Sequence, residues 1–238
     1  QTPDSAKCLG SLGFAGNITV SGDTRFDRVI DIAEKFEPLP VIAAFCEDYP
    51  VIAAGSTWPE DEEELDHYAN THPDLRFIIV PHETGEDHIR DIEKLFARTV
   101  RYSALAAGKE KGEAVNVLIV DNIGMLSRIY KYATLCFVGG GFGGSGLHNV
   151  LEAAVYGKVV IFGPEYDKFV EATGLIEAGG GFSVENTLRL EELLDRLIID
   201  EAFYRESCRA AGSYVYEKRG ATGIILGYIQ EKRLLTSL

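Results

Sequence analysis

The residues with the clearest chemical potential fall in one segment of the chain. Apolar Phe137-Val138 leads into Gly139-Gly140-Gly141-Phe142-Gly143-Gly144-Ser145-Gly146, followed by Leu147-His148-Asn149-Val150-Leu151-Glu152-Ala153-Ala154. The order reads as a buried strand, a glycine loop and a helix start. Glycine lets backbone approach a ligand closely because no Cβ intervenes. Unpaired N–H groups at a helix N-terminus attract anions. The chemistry indicated is phosphate binding, with Gly140, Gly141 and Gly146 in the cradle. On a helix His148 and Glu152, four apart, share a face, and Asn149 and Glu152, three apart, are neighbours. A carboxylate one turn in from a phosphate can accept both hydroxyls of a ribose. Asn149 can donate to the phosphate, or serve only as a helix cap. His148 either contacts the ligand or packs. Glu152 is either a ligand group or a surface acid; apolar Val150, Leu151, Ala153 and Ala154 around it favour the former.

The loop also spells Gly-x-Gly-x-x-Gly from Gly141 to Gly146, with Glu165 about 20 positions on. A dinucleotide fingerprint belongs in the first strand–helix turn, whereas this one follows roughly the fifth strand. No Lys-Ser/Thr pair follows the glycines, which excludes a P-loop. A purely structural glycine turn is the plainer alternative.

The elements that must position this loop alternate along the chain. Apolar runs at 18–21, 51–54, 77–80, 115–120, 135–138 and 159–162, with a further candidate at 181–184, read as strands. Continuous Val/Ile/Leu runs are expected of parallel strands covered on both faces. Helical patterns lie between them at 26–36, 60–69, 86–107, 124–133, 147–156 and 168–178, and the chain finishes in helices at 188–199, 201–217 and 222–232. This alternation predicts an α/β domain, a Rossmann-like doubly wound parallel sheet with C-terminal helices. Ligands of such sheets bind beyond the C-terminal strand ends. The loops at 22–25, 55–59, 81–85, 121–125, 139–149 and 163–167 are therefore the candidates for a site.

Composition narrows the partners. The chain has 238 residues, 46% of them hydrophobic, and 23 basic against 37 acidic side chains for a net charge of −14. Such a surface repels nucleic acid. No apolar run approaches the roughly 20 residues of a membrane span, and no signal-peptide pattern is present. Cys8, Cys46, Cys136 and Cys208 are far apart, which points to reduced thiols in a cytosolic setting. No Asp-x-Asp or His cluster suggests a metal. The chain begins at Gln1, as a processed end or a piece of a longer protein would.

Several segments together resemble the Kdo transferases (3-deoxy-D-manno-octulosonic acid transferases). The donor-site signature of that family is similar to Gly139-Gly140, Gly146-Leu147-His148-Asn149, Leu151-Glu152-Ala153-Ala154, Gly157 and Val160-Ile161-Phe162-Gly163-Pro164. Val20-Ser21-Gly22-Asp23-Thr24-Arg25-Phe26-Asp27 resembles the segment that opens the family's second domain. Ala54-Gly55-Ser56-Thr57-Trp58 with Asp61-Glu62, Val80-Pro81-His82, Val120-Asp121-Asn122-Ile123-Gly124-Met125-Leu126 and Arg219-Gly220-Ala221-Thr222 resemble further family loops in the same order. The chain departs from the pattern at Trp58, where many members have His, at His82, where an arginine is expected, and at Met125, where glutamate is common. Arg25, Arg128 and Lys168 are the basic residues left to bind a Kdo carboxylate, and each is otherwise an ordinary surface charge.

The resemblance implies the C-terminal, donor-binding half of a GT-B glycosyltransferase that moves Kdo from CMP-Kdo to a lipid A precursor in lipopolysaccharide biosynthesis. It implies no metal and no cofactor beyond the CMP-Kdo donor. Residues 1–16 would be a remnant of the interdomain connection and 17–238 the nucleotide-sugar domain. The family's catalytic base and its contacts with the acceptor and with the cytoplasmic face of the inner membrane belong to the other half. No catalytic residue is therefore expected in this chain, which alone would be soluble, bind CMP weakly and catalyse nothing. Within the site, the glycine loop and Leu147 to Asn149 would hold the phosphate and Glu152 the ribose. Ser56 and Thr57 would add hydroxyl donors or cap the next helix. Pro81-His82 and Ile123-Gly124-Met125 would frame the cytosine. The alternatives are a UDP-sugar glycosyltransferase or UDP-GlcNAc 2-epimerase-like enzyme of the same fold, and a non-catalytic α/β interaction module.

Overall fold

A computed structural model describes residues 1–14, 16, 18–109 and 114–234. Its centre is one parallel sheet of seven strands, β1 Val51–Thr57, β2 Arg76–Pro81, β3 Thr99–Arg101, β4 Val117–Ile119, β5 Leu135–Val138, β6 Val159–Phe162 and β7 Gly181–Ser183. Their order is β3-β4-β2-β1-β5-β6-β7. The strands run in register from Val51↔Arg76 through Gly55↔Val80 on one side of β1 and from Ile52↔Leu135 through Gly55↔Val138 on the other.

The alternation of side chains splits the core into two layers. One layer takes Ala53, Ile78, Val80, Leu118, Cys136, Val138, Val160 and Phe162. It is covered by α2 Thr24–Glu34, α3 Pro40–Cys46, α8 Leu151–Ala154, α9 Val170–Glu177 and α11 Glu201–Tyr216. The other takes Ile52, Ala54, Phe77, Ile79, Val117, Ile119, Leu135, Phe137, Val159 and Ile161, under α4 Pro59–Thr71, α5 Glu86–Leu95 and α10 Thr187–Ile199. Both sheet faces are dry, which is why the strands carry continuous apolar runs rather than alternating ones. Burying each Val, Leu, Ile or Phe side chain among them is worth about 1.5–3 kcal/mol.

The chain winds one way from β1 to β2 and β4, then returns to build β5, β6 and β7 on the other side of β1. The order thus reverses between β1 and β5, and the crevice at their C-terminal ends is the expected ligand position of this sheet type.

Three expectations change. Residues 18–21 form no strand; Val20 is exposed, no partner strand lies beside it, and the segment leads into Asp23, which caps α2 through the Arg25 N–H. The pattern at 86–107 is not one helix. It divides into α5, strand β3 and α6 Tyr102–Ala106. Arg98 ties the connection down, donating to the carbonyls of Ala69 and Asn70 and to Asn116 Oδ1. β-Branched Thr99-Val100 then pairs with β4. Two further helices are present. α1 Pro3–Ser11 has Thr2 as its cap and no buried residue. α3 starts at Pro40, a residue suited to a first helical turn. The expected domain start falls at Asn17, which lies outside the described residues.

Among the described residues no helix is long and apolar enough to cross a membrane. The last helix, α12 Ala221–Glu231, is anchored by Asp27 of α2, whose carboxylate accepts the N–H groups of Gly220 and Thr222 at 2.6 Å each.

Candidate functional site at the sheet switch point

The crevice between β1 and β5 is built by two loops tied together through a buried acid. β1 ends in a bulge where pairing passes from Gly55↔Val80 to Thr57↔Pro81. Ser56 takes up the irregularity with a φ of 53°, a sparsely populated conformation for a non-glycine residue. Pro59 then starts α4, and Asp61 in its first turn reaches back to accept the Trp58 N–H at 2.9 Å. The same oxygen, Oδ2, accepts the Gly140 N–H at 2.8 Å. Asp61 is fully buried and its other oxygen has no partner among the described residues. Burial pushes its carboxyl up to about 6, against the pull of the Gly140 and Trp58 N–H groups, and neighbouring Glu62 and Glu60 add to the rise.

The glycine loop wraps this anchor. Gly139 donates to the Gly55 carbonyl at 2.9 Å, and the loop closes on itself where the His148 N–H meets the Gly139 carbonyl at 3.1 Å. A Cβ on Gly139 would strike the Ser56 carbonyl and lie 2.7 Å from Asp61 Oδ2. Gly140 has a φ of +90°, and a Cβ there would strike the Gly146 carbonyl. The Gly141 carbonyl accepts the Glu165 N–H at 3.0 Å, joining the loop to the end of β6. Gly146 turns with φ +89° beside the Phe169 ring. The mouth is not purely electropositive: a Cβ on Gly143 would lie 2.8 Å from the Glu60 carboxyl.

Behind Asp61, Glu62 is also buried. Its carboxylate accepts from Thr57 Oγ1 at 2.8 Å and meets His88 Nε2 at 2.9 Å. Burial raises the Glu62 carboxyl above its ordinary range. The Thr57 hydroxyl is thus committed inward and supports the site rather than facing the crevice. Ser56 is half-buried at the rim.

Three aromatic rings line the adjoining wall. His82, after Pro81 at the end of β2, stacks on Trp58 with centroids 4.7 Å apart. It also lies 4.5 Å from the His148 ring. Trp58 Nε1 donates to His148 Nε2 at 3.3 Å. Burial and the neighbouring His82 both lower the basicity of His148.

The helix after the loop differs from expectation. Residues 147–149 are irregular and α8 is only Leu151–Ala154, because the chain must first fold back onto Gly139. His148 and Glu152 therefore do not share a helix face, and the expected anion cradle would consist of loop backbone rather than a helix end. Asn149 acts locally. Its Oδ1 accepts the Leu151 N–H and its Nδ2 donates to Glu152 Oε1, both at 3.2 Å. Val150 and Leu151 are fully buried. Glu152 is half-buried in a niche with Val29, Ile32, Ser127, Val155 and Tyr156, and burial raises its carboxyl above the ordinary range.

The β4–α7 loop, before α7 Leu126–Ile129, forms the far rim. Ile123 is 86% exposed at its tip, Gly124 turns with φ +96°, and the Met125 side chain is buried in the core. Only backbone of this trio faces outward with Ile123.

Of the candidate cations, Arg25 is clamped by both oxygens of Glu171 and by Asp23, joining α2 to α9. Arg128 lies 3.6 Å from Glu37. Lys168, exposed in the loop after β6, makes no ion pair among the described residues.

The sequence reading placed Trp58, Asp61 and Glu62 in a family-like loop but gave them no role in the site, and it missed His88. The available signal was the spacing around Pro59, where an acid two residues after the helix-starting proline can reach back to the residue before it.

No family model matches the chain. Among curated proteins it is 27% identical over 170 residues to the 3-deoxy-D-manno-octulosonic acid transferase of Rickettsia typhi, covering 68% of this chain and 35% of that protein. It is 28% identical over 244 residues to the transferase of the same name from Bordetella pertussis, covering 97% and 55%. The chain spans about a third to a half of the length of these relatives. Among solved structures, the C-terminal CMP-Kdo binding domain of WaaA from Acinetobacter baumannii superposes with a TM-score of 0.62 at 22% identity, covering 80% of this chain and 97% of that one. The UDP-GlcNAc 2-epimerase of Neisseria meningitidis bound to UDP-GlcNAc covers 97% of this chain and 59% of its own at TM-score 0.64 and 18% identity, a likeness of fold. In sequence the chain is similar to the Kdo transferases, and in fold it is similar to the C-terminal CMP-Kdo binding domain of WaaA.

Proposed function

We propose that this chain is the donor-binding half of a Kdo transferase and holds CMP-Kdo in the β1/β5 crevice. The observation that carries the reading is the pre-formed glycine loop at the switch point, followed directly by His148 and by the Asn149–Glu152 pair. Backbone N–H groups of Gly140's neighbours, Gly141 and Gly146 offer donors to the phosphate without side-chain obstruction. Glu152, oriented by Asn149, takes the ribose hydroxyls. The backbone at Pro81-His82 and Ile123-Gly124 frames the cytosine. Lys168 is the uncommitted cation for the Kdo carboxylate.

In the reaction a hydroxyl of a lipid A precursor attacks the anomeric carbon of Kdo and CMP departs. The acceptor, the base that deprotonates it and the contact with the cytoplasmic face of the inner membrane belong to the remainder of a longer protein. Residues 1–16 lead toward that half. This chain stabilises the leaving group, with fixed donors where charge grows on the phosphate.

The test is calorimetry of the isolated chain with CMP, UMP and UDP. CMP is expected to bind most tightly and Glu152→Ala to weaken it at least tenfold. Tighter binding of UDP would replace this reading with a UDP-sugar enzyme of the same fold. No binding of any nucleotide would leave the chain an interaction module.

A further inference from the structure

We infer that Trp58 is a positioning residue that fixes His148 as a neutral imidazole with its proton on Nδ1, so that His148 meets the ligand as a hydrogen-bond donor and not as a cation or a base. The indole sets the direction of the bond. Its nitrogen is a donor only. At 3.3 Å from His148 Nε2, it requires that nitrogen to be the acceptor and hence unprotonated. The ring's one remaining proton sits on Nδ1. A second proton on Nε2 would set two N–H groups against each other.

Trp58 is itself held. Its backbone N–H goes to Asp61 Oδ2, the same oxygen that receives the Gly140 N–H. Its indole stacks on His82. One residue thus connects to both ends of the glycine loop, to Gly140 through Asp61 and to His148 through the indole. The groups around the His148 ring match a neutral state. From the β2–α5 loop comes His82, from the start of α4 the indole, and from the glycine loop itself the backbone of Gly140. The nearby carboxylate, Asp61, turns Oδ2 to the Gly140 and Trp58 N–H groups, and among the described residues none of its hydrogen bonds goes to the His148 ring. Burial and His82 depress the basicity of His148 in the same direction.

The consequence for binding rests on the nucleotide reading above. Nδ1–H is a donor for a phosphate oxygen that persists through neutral pH, and its strength does not depend on protonating the ring. A neutral donor also costs less to bury beside the phosphate than an imidazolium. The tautomer is thus set by a residue that has no acceptor alternative.

The experiment is ¹⁵N side-chain NMR of the histidines in the labelled chain, with His148 assigned by its loss in His148→Gln. The wild-type spectrum is expected to show Nδ1 protonated and Nε2 bare, with a midpoint below that of an ordinary histidine. Trp58→Phe keeps a ring to stack on His82, though a smaller one, and removes the N–H. It should release Nε2, mix the tautomers, raise the midpoint, and weaken CMP about three- to tenfold at pH 7, the worth of one hydrogen bond. A wild-type Nε2–H tautomer, or a tautomer and midpoint unchanged in Trp58→Phe, would overturn the inference. The wild-type spectrum decides even where the variant fails to fold. If CMP does not bind while the wild-type ring is as stated, the nucleotide reading fails and the tautomer assignment stands.

Discussion

Two loops at the same edge of the sheet are built on opposite plans. The β5–α8 loop is over-determined. Its first turn hangs on Asp61, its ends meet at Gly139 and His148, and its middle is pinned to the end of β6. The β4–α7 loop is tethered near its ends, where Asp121 accepts from the Ser103 N–H and hydroxyl and Met125 is buried, and it leaves Ile123 almost wholly exposed. The difference matches what the proposed function asks of each loop. A phosphate is recognised by several backbone donors that must be in place before it arrives, and the cost of arranging them is met in folding. A base edge needs fewer fixed groups and tolerates a rim that closes with the ligand or against another domain. On the proposed reading, the phosphate end is finished and the base end is open.

Changes in the first loop should therefore be costly and changes in the second nearly silent. The largest effect is expected for Gly140→Ala. Positive φ and the Gly146 carbonyl both oppose a side chain there, at a cost of about 2–4 kcal/mol. Chemical denaturation and calorimetry should show that loss together with a more than tenfold loss of CMP affinity. Wild-type stability there would mean the loop is not as tightly built as described.

Next is Asp61→Asn, read against pH. The Asp61 carboxyl is raised from its unfolded value to about 6, so the folded state holds the proton more tightly. Its contribution is fully present below about pH 4 and is lost as pH rises to about 6. A shift of about two units corresponds to roughly 3 kcal/mol. Asp61→Asn should flatten this part of the stability–pH curve, measured by denaturant midpoints from pH 4 to 7.5. Parallel curves for the two proteins would refute the burial argument.

A smaller effect of opposite sign is expected for Glu60→Gln. The Glu60 carboxyl lies against Gly143, so a bound phosphate feels its repulsion. CMP should bind about two- to fivefold more tightly at low salt, and the gain should shrink as salt screens it. The smallest effect is expected for Ile123→Ser, with stability within about 0.5 kcal/mol of wild type and CMP affinity within about twofold. A large loss there would make the β4–α7 rim as pre-built as the glycine loop.

The same contrast shows what a sequence discloses. Strands β1, β2, β5 and β6 were visible because burial on both faces demands unbroken apolar runs. The glycine loop was visible because close approach demands glycine. Its partners were not. Asp61 is distant from Gly140 in the chain, and only the fold brings its carboxylate under the loop. The same holds for Trp58 and His148. The short α8 was misread as longer because apolar spacing at 147–156 suits a helix, while closing the loop onto Gly139 takes priority. β3 hid inside a helical pattern because three residues are too few to show a period, and Arg98 fixes the break through contacts from elsewhere in the chain.

The central claim is that a nucleotide phosphate sits on the backbone of the loop that Asp61 holds. Its most direct test is amide NMR of the ¹⁵N-labelled chain titrated with CMP. The expected result is that the amides of Gly140, Gly141, Gly146 and His148 move most, with Glu152 beside them and Ile123 and Gly124 less. Saturable shifts that leave the glycine loop still and gather elsewhere, for example in the groove between α2 and α12 lined by Arg28, Arg219 and Thr222, would contradict it.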